Sequence, residues 1–333
     1  MSGGQIPYQL RANKFIDRQL FVELLGRVLP KVGNEKYLYI SMGGKHLVDH
    51  RVVYRQLGIS NLFSFDRDGE IVDRQKFNKP TNDALCEEMS SGSLPARIDE
   101  LLVAFDGVTN LVVWLDFTDP HARRTQLQEL IQVLGKLQPD DILRITLNAN
   151  IRTLDETPDS WRMEGYRKVQ EYRLDRLKKQ LSDLVPTDLS AIEADEFPLA
   201  LTRCVGLAVS KAESQSEDVR FVPELVTTYK DGQRMLTVTI RAVSAEDMSE
   251  AHKDLKNWKF KASNWSDMTN IEAPDLSSKE RLKIDQYLHK PPSYILDRLK
   301  FLPAKNRKSS LKVIRSYKLL HRYYPEFRHI EAG

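Results

Sequence analysis

The chain has 333 residues, 41% of them hydrophobic and 29% charged, with a formal net charge of +3 and a mean hydropathy of −0.46. That length accommodates one large domain with additions or two domains, and the composition excludes both a disordered polymer and a membrane bundle, since no run approaches the roughly 18 apolar residues that cross a bilayer. Cys86 and Cys204 lie far apart, which excludes a disulfide framework and a cysteine zinc site, and the Met-Ser-Gly-Gly-Gln start lacks a basic region followed by an apolar run, so a cytoplasmic protein without membrane contact is expected.

From Asn13 to Leu29, the residues Phe15, Ile16, Leu20, Phe21, Leu24, Leu25 and Val28 recur at the spacing of one helical face. They predict an amphipathic opening helix, the main element of residues 1–35. Arg11, Lys14 and Arg18 precede it or lie on it, either as a solvated face or with Arg11 or Lys14 folding over the sheet's carboxyl edge to pair with an anionic ligand group. Lys36 to Met42 reads as a buried strand running into a tight turn at Gly43-Gly44. A helix to Leu57, stopped by Gly58, and a strand from Asn61 to Phe65 closing on Asp66 complete a βαβ unit, whose crossover makes the strands parallel. Arg67-Asp68 begins the next helix.

A third strand is expected near Ala84 to Glu87, a helix from Leu94 to Phe105, a strand from Leu111 to Leu115 ending at Asp116, a helix from Arg123 to Leu137 and a strand from Ile142 to Leu147. Repeated βα units imply a doubly wound, mostly parallel α/β sheet covered by helices on both faces. Ser160 to Val185 then reads as a long charged helix with Tyr166, Val169, Leu174, Leu177, Leu181 and Leu184 as its apolar stripe, and Pro198 to Lys211 as a more apolar one. Phe221 to Tyr229 and Arg234 to Val243, joined through Lys230-Asp231-Gly232-Gln233, predict a closing antiparallel hairpin. The stretch from Leu147 to Phe221 exceeds an ordinary connection of ~2–6 residues plus one helix, so about 153–190 is expected to be a helical insertion in an α/β domain of 36–243.

From Ala245 onward only helices are expected: one capped by Ser277 or Ser278 and running to His289, one from Ser293 to Phe301, and one from Ser309 or Ser310 to Tyr323. Residues 244–333 thus form a basic helical C-terminal region, with 14 Lys and Arg against 5 Asp and Glu from Lys279 onward. Lys312, Arg315, Lys318 and Arg322 recur at helical spacing beside Tyr317, Tyr323 and Tyr324. Two readings have equal weight: a face contacting nucleic acid or a protein partner, and a helical cap paired to the acidic body.

In an open parallel sheet a ligand binds beyond the carboxyl ends of the strands, where the strand order reverses. Gly43-Gly44, Asp66, the Asp83 to Ser91 loop and Asp116 to His121 fall there. Glycines after the first strand let the backbone approach a ligand, and an acid ending the second can accept hydrogen bonds from both hydroxyls of a ribose. The plainer readings are a simple turn at Gly43-Gly44 and a helix cap at Asp66. Asp116, followed by Asp119, favours function.

The element order, including the closing hairpin, resembles that of class I S-adenosylmethionine-dependent methyltransferases over roughly residues 10 to 243. Ser41-Met-Gly-Gly44 looks like their first motif, Asn61 to Asp66 like their second, and Leu115-Asp-Phe-Thr-Asp-Pro120 like their fourth, which faces the methyl acceptor. More specifically the chain is similar to bacterial O-methyltransferase-like proteins, including three-Cys-motif partner proteins found beside defence or mobile-element genes. The resemblance implies a methyltransferase-like Rossmann fold and S-adenosylmethionine as cofactor, held by Ser41, Gly43, Gly44, Asp66 and Arg67 with the Asp83 to Glu87 loop near the adenine. It also implies Asp116 and Asp119 as catalytic residues toward an unidentified acceptor. The first motif departs from the family's acid followed by Gly-x-Gly, and Phe117, Thr118 and Asp119 depart from the amine-methylating form of the fourth.

Two other classes stay open: a catalytically inactive methyltransferase-like adaptor, and a metal-dependent nuclease using Asp116, Asp119 and His121. His46 and His50, at i and i+4, would share a helical face suited to a metal, but no third ligand is identifiable and no structural metal is expected. No Gly-x-Ser-x-Gly elbow or phosphate loop is present.

Overall fold

The computed structural model describes residues 11–30, 33–154, 163 and 165–325. Its sheet has eight strands: β1 (Tyr37–Ser41), β2 (Asn61–Asp66), β3 (Leu85–Glu88), β4 (Asn110–Asp116), β5 (Ile142–Asn148), β6 (Val219–Asp231), β7 (Gln233–Ser244) and the short β8 (Thr269–Ile271). The spatial order is β3-β2-β1-β4-β5-β7-β6-β8. β1 to β5 pair in parallel and β7 runs antiparallel to β5. The chain winds outward from β1 through β2 to β3, then returns to the other side of β1 with β4, so the order reverses between β1 and β4. This is the doubly wound methyltransferase-like Rossmann architecture, with the expected hairpin joined to the same sheet.

Helices α1 (Ala12–Val28), α2 (Val48–Leu57), α3 (Gly69–Asn78), α4 (Leu94–Ala104), α5 (Arg123–Leu134), α6 (Tyr166–Leu181) and α7 (Phe197–Glu213) accompany the strands. The start expected for α6 at Ser160 lies outside the described residues. Strand alternation decides which face each residue serves. In β5, Leu143, Ile145 and Leu147 join the main core, together with Ile98 and Leu101 of α4, Leu127 and Leu130 of α5, and Leu201 and Val205 of α7. The intervening Arg144 and Thr146 face the other way. There the Arg144 guanidinium lies between the rings of Phe21 and Trp114, 4.8 and 5.0 Å from their centroids, while Trp114 Nε1 donates to Thr146 Oγ1 at 2.9 Å. Tyr39 of β1 shares this face, donating its hydroxyl to Asp49 of α2 at 2.8 Å.

By Cα packing the chain divides into two units. The larger takes Phe21–Thr228 and Gln233–Thr269, and so contains the parallel strands. The smaller takes, of the described residues, 11–20, Tyr229–Gly232 and 270–325. Within the smaller unit the hairpin tip caps α1 from a distance, because the Asp231 carboxylate accepts the backbone N–H groups of Asn13 (3.3 Å) and Lys14 (2.7 Å). Helices α8 (Ser278–Asp285), α9 (Pro292–Leu299) and α10 (Arg307–Leu320) of this unit enclose Ile284, Ile295, Leu296, Leu299, Ile314 and Tyr317.

Several sequence expectations are corrected. α1 is not amphipathic with solvated cations: Lys14, Asp17 and Arg18 are as buried as its apolar stripe. The chain after Ala245 is not all helical, since it contributes β8. α9 starts at Pro292, whose fixed φ suits the first helical turn, and α10 is capped by Asn306, whose side chain accepts the Ser309 N–H at 2.8 Å. Leu319, which helical spacing with Leu311, Ile314 and Leu320 assigns to the buried stripe of α10, is 40% exposed, and Tyr317 takes the inward position instead.

Candidate functional site

The register of the parallel strands fixes the geometry of the switch point. Ser41, the last residue of β1, pairs with Ser64 of β2 and with Trp114 of β4. Both neighbours continue two residues further, to Asp66 and Asp116. β1 therefore ends in a notch between them, and the two carboxylates flank the Gly43-Gly44 turn from strands about 10 Å apart, twice the spacing of neighbouring strands.

The turn itself is built with little freedom. Ser41 is buried and its Oγ accepts the Gly43 N–H at 3.2 Å, while Gly44 N–H closes onto the Met42 carbonyl at 2.6 Å. α3 holds the carbonyls from the side: Gln75 Nε2 donates to Met42 O and Asn78 Nδ2 to Lys45 O, each at 2.9 Å. Both glycines have positive φ, +62° and +53°. Their surroundings differ. A Cβ on Gly43 would lie 2.5 Å from Leu47, 2.6 Å from Ser64 and 2.9 Å from His50, whereas a Cβ on Gly44 meets nothing within 4 Å. Ser41 and Gly43 shape the turn, and Gly44 presents bare backbone to open space.

Asp66 is half-buried; its Oδ1 accepts the Asp68 N–H at 3.0 Å, and Asp68, not Asp66, is the N-cap of α3. The helix-cap reading of Asp66 is therefore displaced two residues along the chain. Arg67 beside it is exposed. The loop assigned to the adenine is corrected, because β3 starts at Leu85 and Asp83 lies at its amino end. The residues that reach the ligand side are Glu88, paired in register with Asp66, and Met89, whose N–H bonds the Asp66 carbonyl at 2.9 Å.

On the other side of the notch, Asp116 is half-buried and Phe117 packs in the main core, as does Met42 at its margin. Asp119 is exposed, with Oδ1 accepting the His121 N–H at 2.9 Å. Three side-chain amides grip the backbone between: Asn148 Nδ2 on Thr118 O (3.2 Å), Gln126 Nε2 on Asp119 O (2.8 Å) and Gln180 Nε2 on Pro120 O (2.6 Å). Behind them sits Arg123, fully buried. Its guanidinium donates twice to Asn148 O (2.9 and 2.7 Å), to Thr153 Oγ1 (2.7 Å) and to Gln180 Oε1 (3.0 Å), and lies 5.2 Å from the Phe197 ring. Burial pushes it down to about 10. Sequence reasoning places Arg123 only at a helix start and misses Asn148, Gln126 and Gln180; a cation opening an otherwise amphipathic helix at a strand's ligand end is the available signal.

The metal readings find no support in these positions. α2 starts at Val48, so His46 lies outside it and is exposed, while His50 Nε2 donates to the Phe63 carbonyl at 3.0 Å. Among the described residues no three His, Cys, Asp or Glu side chains converge, and Asp116, Asp119 and His121 form no ligand set. Among the same residues no helix is long and apolar enough to cross a membrane.

Gly44 offers a backbone that a ligand can approach, and Asp66 ends the neighbouring strand with a carboxylate. The model of a protein family described as "Putative O-methyltransferase" matches residues 6–332. No curated protein matches the chain. Similar solved structures include an rRNA methylase from Streptococcus thermophilus (11% identity, 68% of this chain and 96% of that one, TM-score 0.35). The N-methyltransferase NodS from Bradyrhizobium japonicum WM9 gives 9% identity over 68% and 96%, TM-score 0.34. A DUF574 family protein from Streptomyces avermitilis MA-4680 gives 12% over 69% and 82%, TM-score 0.37.

Proposed function

From its membership of that O-methyltransferase family, which the match over residues 6–332 shows, we propose that the chain transfers a methyl group from S-adenosylmethionine to an oxygen of an acceptor still to be identified. The observation that carries the reading is the notch at the end of β1, where the open face of Gly44 lies between two strand-terminal carboxylates. The cofactor would supply a methyl group on a sulfonium, already activated for transfer. Gly44, in a turn shaped by Ser41 and Gly43, would let the backbone lie against the ligand, and Asp66 would accept hydrogen bonds from ribose hydroxyls, with Arg67, Glu88 and Met89 at the same edge. Asp116, on the opposite strand, would orient the acceptor hydroxyl and take its proton. Asp119 shapes the loop beyond it through its bond to the His121 N–H and leaves its second oxygen for the acceptor. Transfer then needs chiefly in-line placement of acceptor and methyl donor, which a rigid loop supports.

Calorimetry with S-adenosylmethionine tests this directly. Wild-type protein should bind it, and Asp66→Ala should weaken binding about tenfold or more through loss of charge-assisted hydrogen bonds. No heat of binding at millimolar ligand would refute the cofactor assignment and leave the catalytically inactive adaptor as the better account of the scaffold.

A further inference from the structure

The helices of the smaller unit carry a surface that methyl transfer does not use. Between Lys279 and Pro325 there are thirteen Lys and Arg against three Asp and Glu. All three acids are committed. Glu280 closes the capping box of α8 with Ser277, Asp285 accepts the Tyr317 hydroxyl at 2.9 Å, and Asp297 pairs with Arg307 at 3.1 Å. Lys312 finds a partner in Glu272 at 2.6 Å. Among the described residues the other cations of this stretch have no carboxylate partner, so a strong positive field remains on a small three-helix body.

The expected cation track along α10 is broken by these contacts. Lys312 is paired, Lys318 Nζ donates to the Lys290 carbonyl, and Arg322 lies in a separate 3-10 turn. Tyr317 and Tyr324 pack together at 5.4 Å and belong to the core. The interleaving of aromatics and cations occurs instead along α8, the connection to α9 that carries Tyr287 and Lys290, and α9. Tyr287 and Tyr294 meet edge to face at 5.8 Å and are both partly exposed. Lys283 lies 5.3 Å from the Tyr287 ring, and Lys290 and Arg298 lie 5.9 and 5.2 Å from that of Tyr294. Arg298 also donates to the Tyr294 hydroxyl at 3.1 Å, which holds its planar guanidinium in place.

We propose that this α8–α9 surface binds single-stranded nucleic acid, with the two tyrosine rings and the Arg298 plane as stacking platforms and Lys283, Lys290 and Arg298 as phosphate contacts. Unpaired bases expose π-faces that rings and a guanidinium plane accept, whereas a duplex keeps its bases inside and offers only phosphates. A plain polyanion site would need the cations but not the rings. The inference stands apart from the methyl-transfer reading, since none of these residues belongs to the candidate cofactor site.

The test is fluorescence anisotropy of the full chain with a labelled single-stranded oligouridine, over a range of salt. Binding is expected at low salt and should weaken with a log–log slope of about −2 to −3, as release of counterions by three or four cations requires. Tyr287→Ala and Tyr294→Ala should each cost about tenfold or more, Tyr294→Phe, which keeps the ring but releases Arg298, should cost less than Tyr294→Ala, and duplex RNA should bind more weakly. Tyr287 borders the core, so Lys283→Gln and Arg298→Gln provide a second pair of variants on the exposed surface; each should flatten the salt slope by about 0.7. No binding at low salt would overturn the proposal. So would equal affinity of the alanine variants and wild type, which would mark a plain polyanion surface, and so would binding to anionic lipid vesicles without binding to the oligonucleotide.

Discussion

Alanine at the two adjacent glycines should have opposite signatures, and the contrast follows from geometry alone. Both positions sit at positive φ, so each substitution costs about 1–2 kcal/mol for holding an L-residue in the left-handed region. Gly44→Ala meets nothing further within 4 Å. Gly43→Ala would press its methyl to 2.5 Å from Leu47, 2.6 Å from Ser64 and 2.9 Å from His50. None of these neighbours can easily retreat: all three are buried, Leu47 itself has positive φ, and the His50 ring is tied to the Phe63 carbonyl. Overpacking of this kind adds about 1–3 kcal/mol, which brings the total to about 2–5 kcal/mol. Urea unfolding should therefore show Gly43→Ala well below Gly44→Ala in midpoint. Calorimetry should separate them the other way: Gly44→Ala folds but loses S-adenosylmethionine affinity, because its methyl points where the ligand would lie. Equal midpoints would refute the packing argument. Unchanged affinity in Gly44→Ala would refute the placement of the ligand over that backbone.

Other expectations follow from the same kind of reading. Asp231→Ala removes the carboxylate that caps α1 and should lower stability by about 1–2 kcal/mol, with Asp231→Asn recovering part of it in the same denaturation assay. Burial pushes Asp141 up to about 6 from 3.8, despite bonds from Leu111 N, Gln138 N and Asn110 Nδ2 that favour the charged form. A carboxyl with a higher pKa folded than unfolded stabilises fully below its unfolded value and loses that contribution as pH rises through the folded one. Unfolding free energy should thus fall by up to about 3 kcal/mol between about pH 3.5 and about pH 7 relative to Asp141→Asn, and a pH-independent difference would contradict it. Arg123→Met should raise hydrogen exchange across residues 117–122 while leaving S-adenosylmethionine binding within about twofold, since it loosens only the acceptor side; unaltered exchange would show that the loop does not depend on it.

The fold was legible where the sequence writes its period plainly. β1 and β4 are buried on both faces and appear as short apolar runs, and Asp231-Gly232 marks the hairpin because its left-handed turn needs glycine. That Ser41, Asp66 and Asp116 share one edge was legible, because a parallel sheet puts all its strand ends together. What escaped is what depends on partners far along the chain. The loop near Asp83 falls at the opposite end of its strand from Asp66, and β3, four residues long, carries too little apolar signal to place it. The buried charges of α1 and the exposed Leu319 show the same limit, since periodicity states which residues can share a face but not whether the opposite face is also covered.

Arg123 illustrates why the unread part matters for chemistry. A fully buried guanidinium costs several kcal/mol to desolvate, and here the cost is offset by four hydrogen bonds to neutral oxygens and by an aromatic ring. A hydrophobic side chain would fill the same volume at lower cost. It would not hold Gln180 with its amide turned to Pro120, nor Asn148 with its backbone carbonyl drawn back and its side chain on Thr118. The glycine turn across the notch is gripped in the same manner, through carbonyls bonded by Gln75 and Asn78 of α3. Both loops at the switch point are thus fixed through their carbonyl oxygens by side chains from behind, before any ligand arrives. Loops ordered in advance lose little entropy on binding. On the proposed reading, the side chains of residues 116–121 and of α6, which Gln180 ties to them, would discriminate among acceptors.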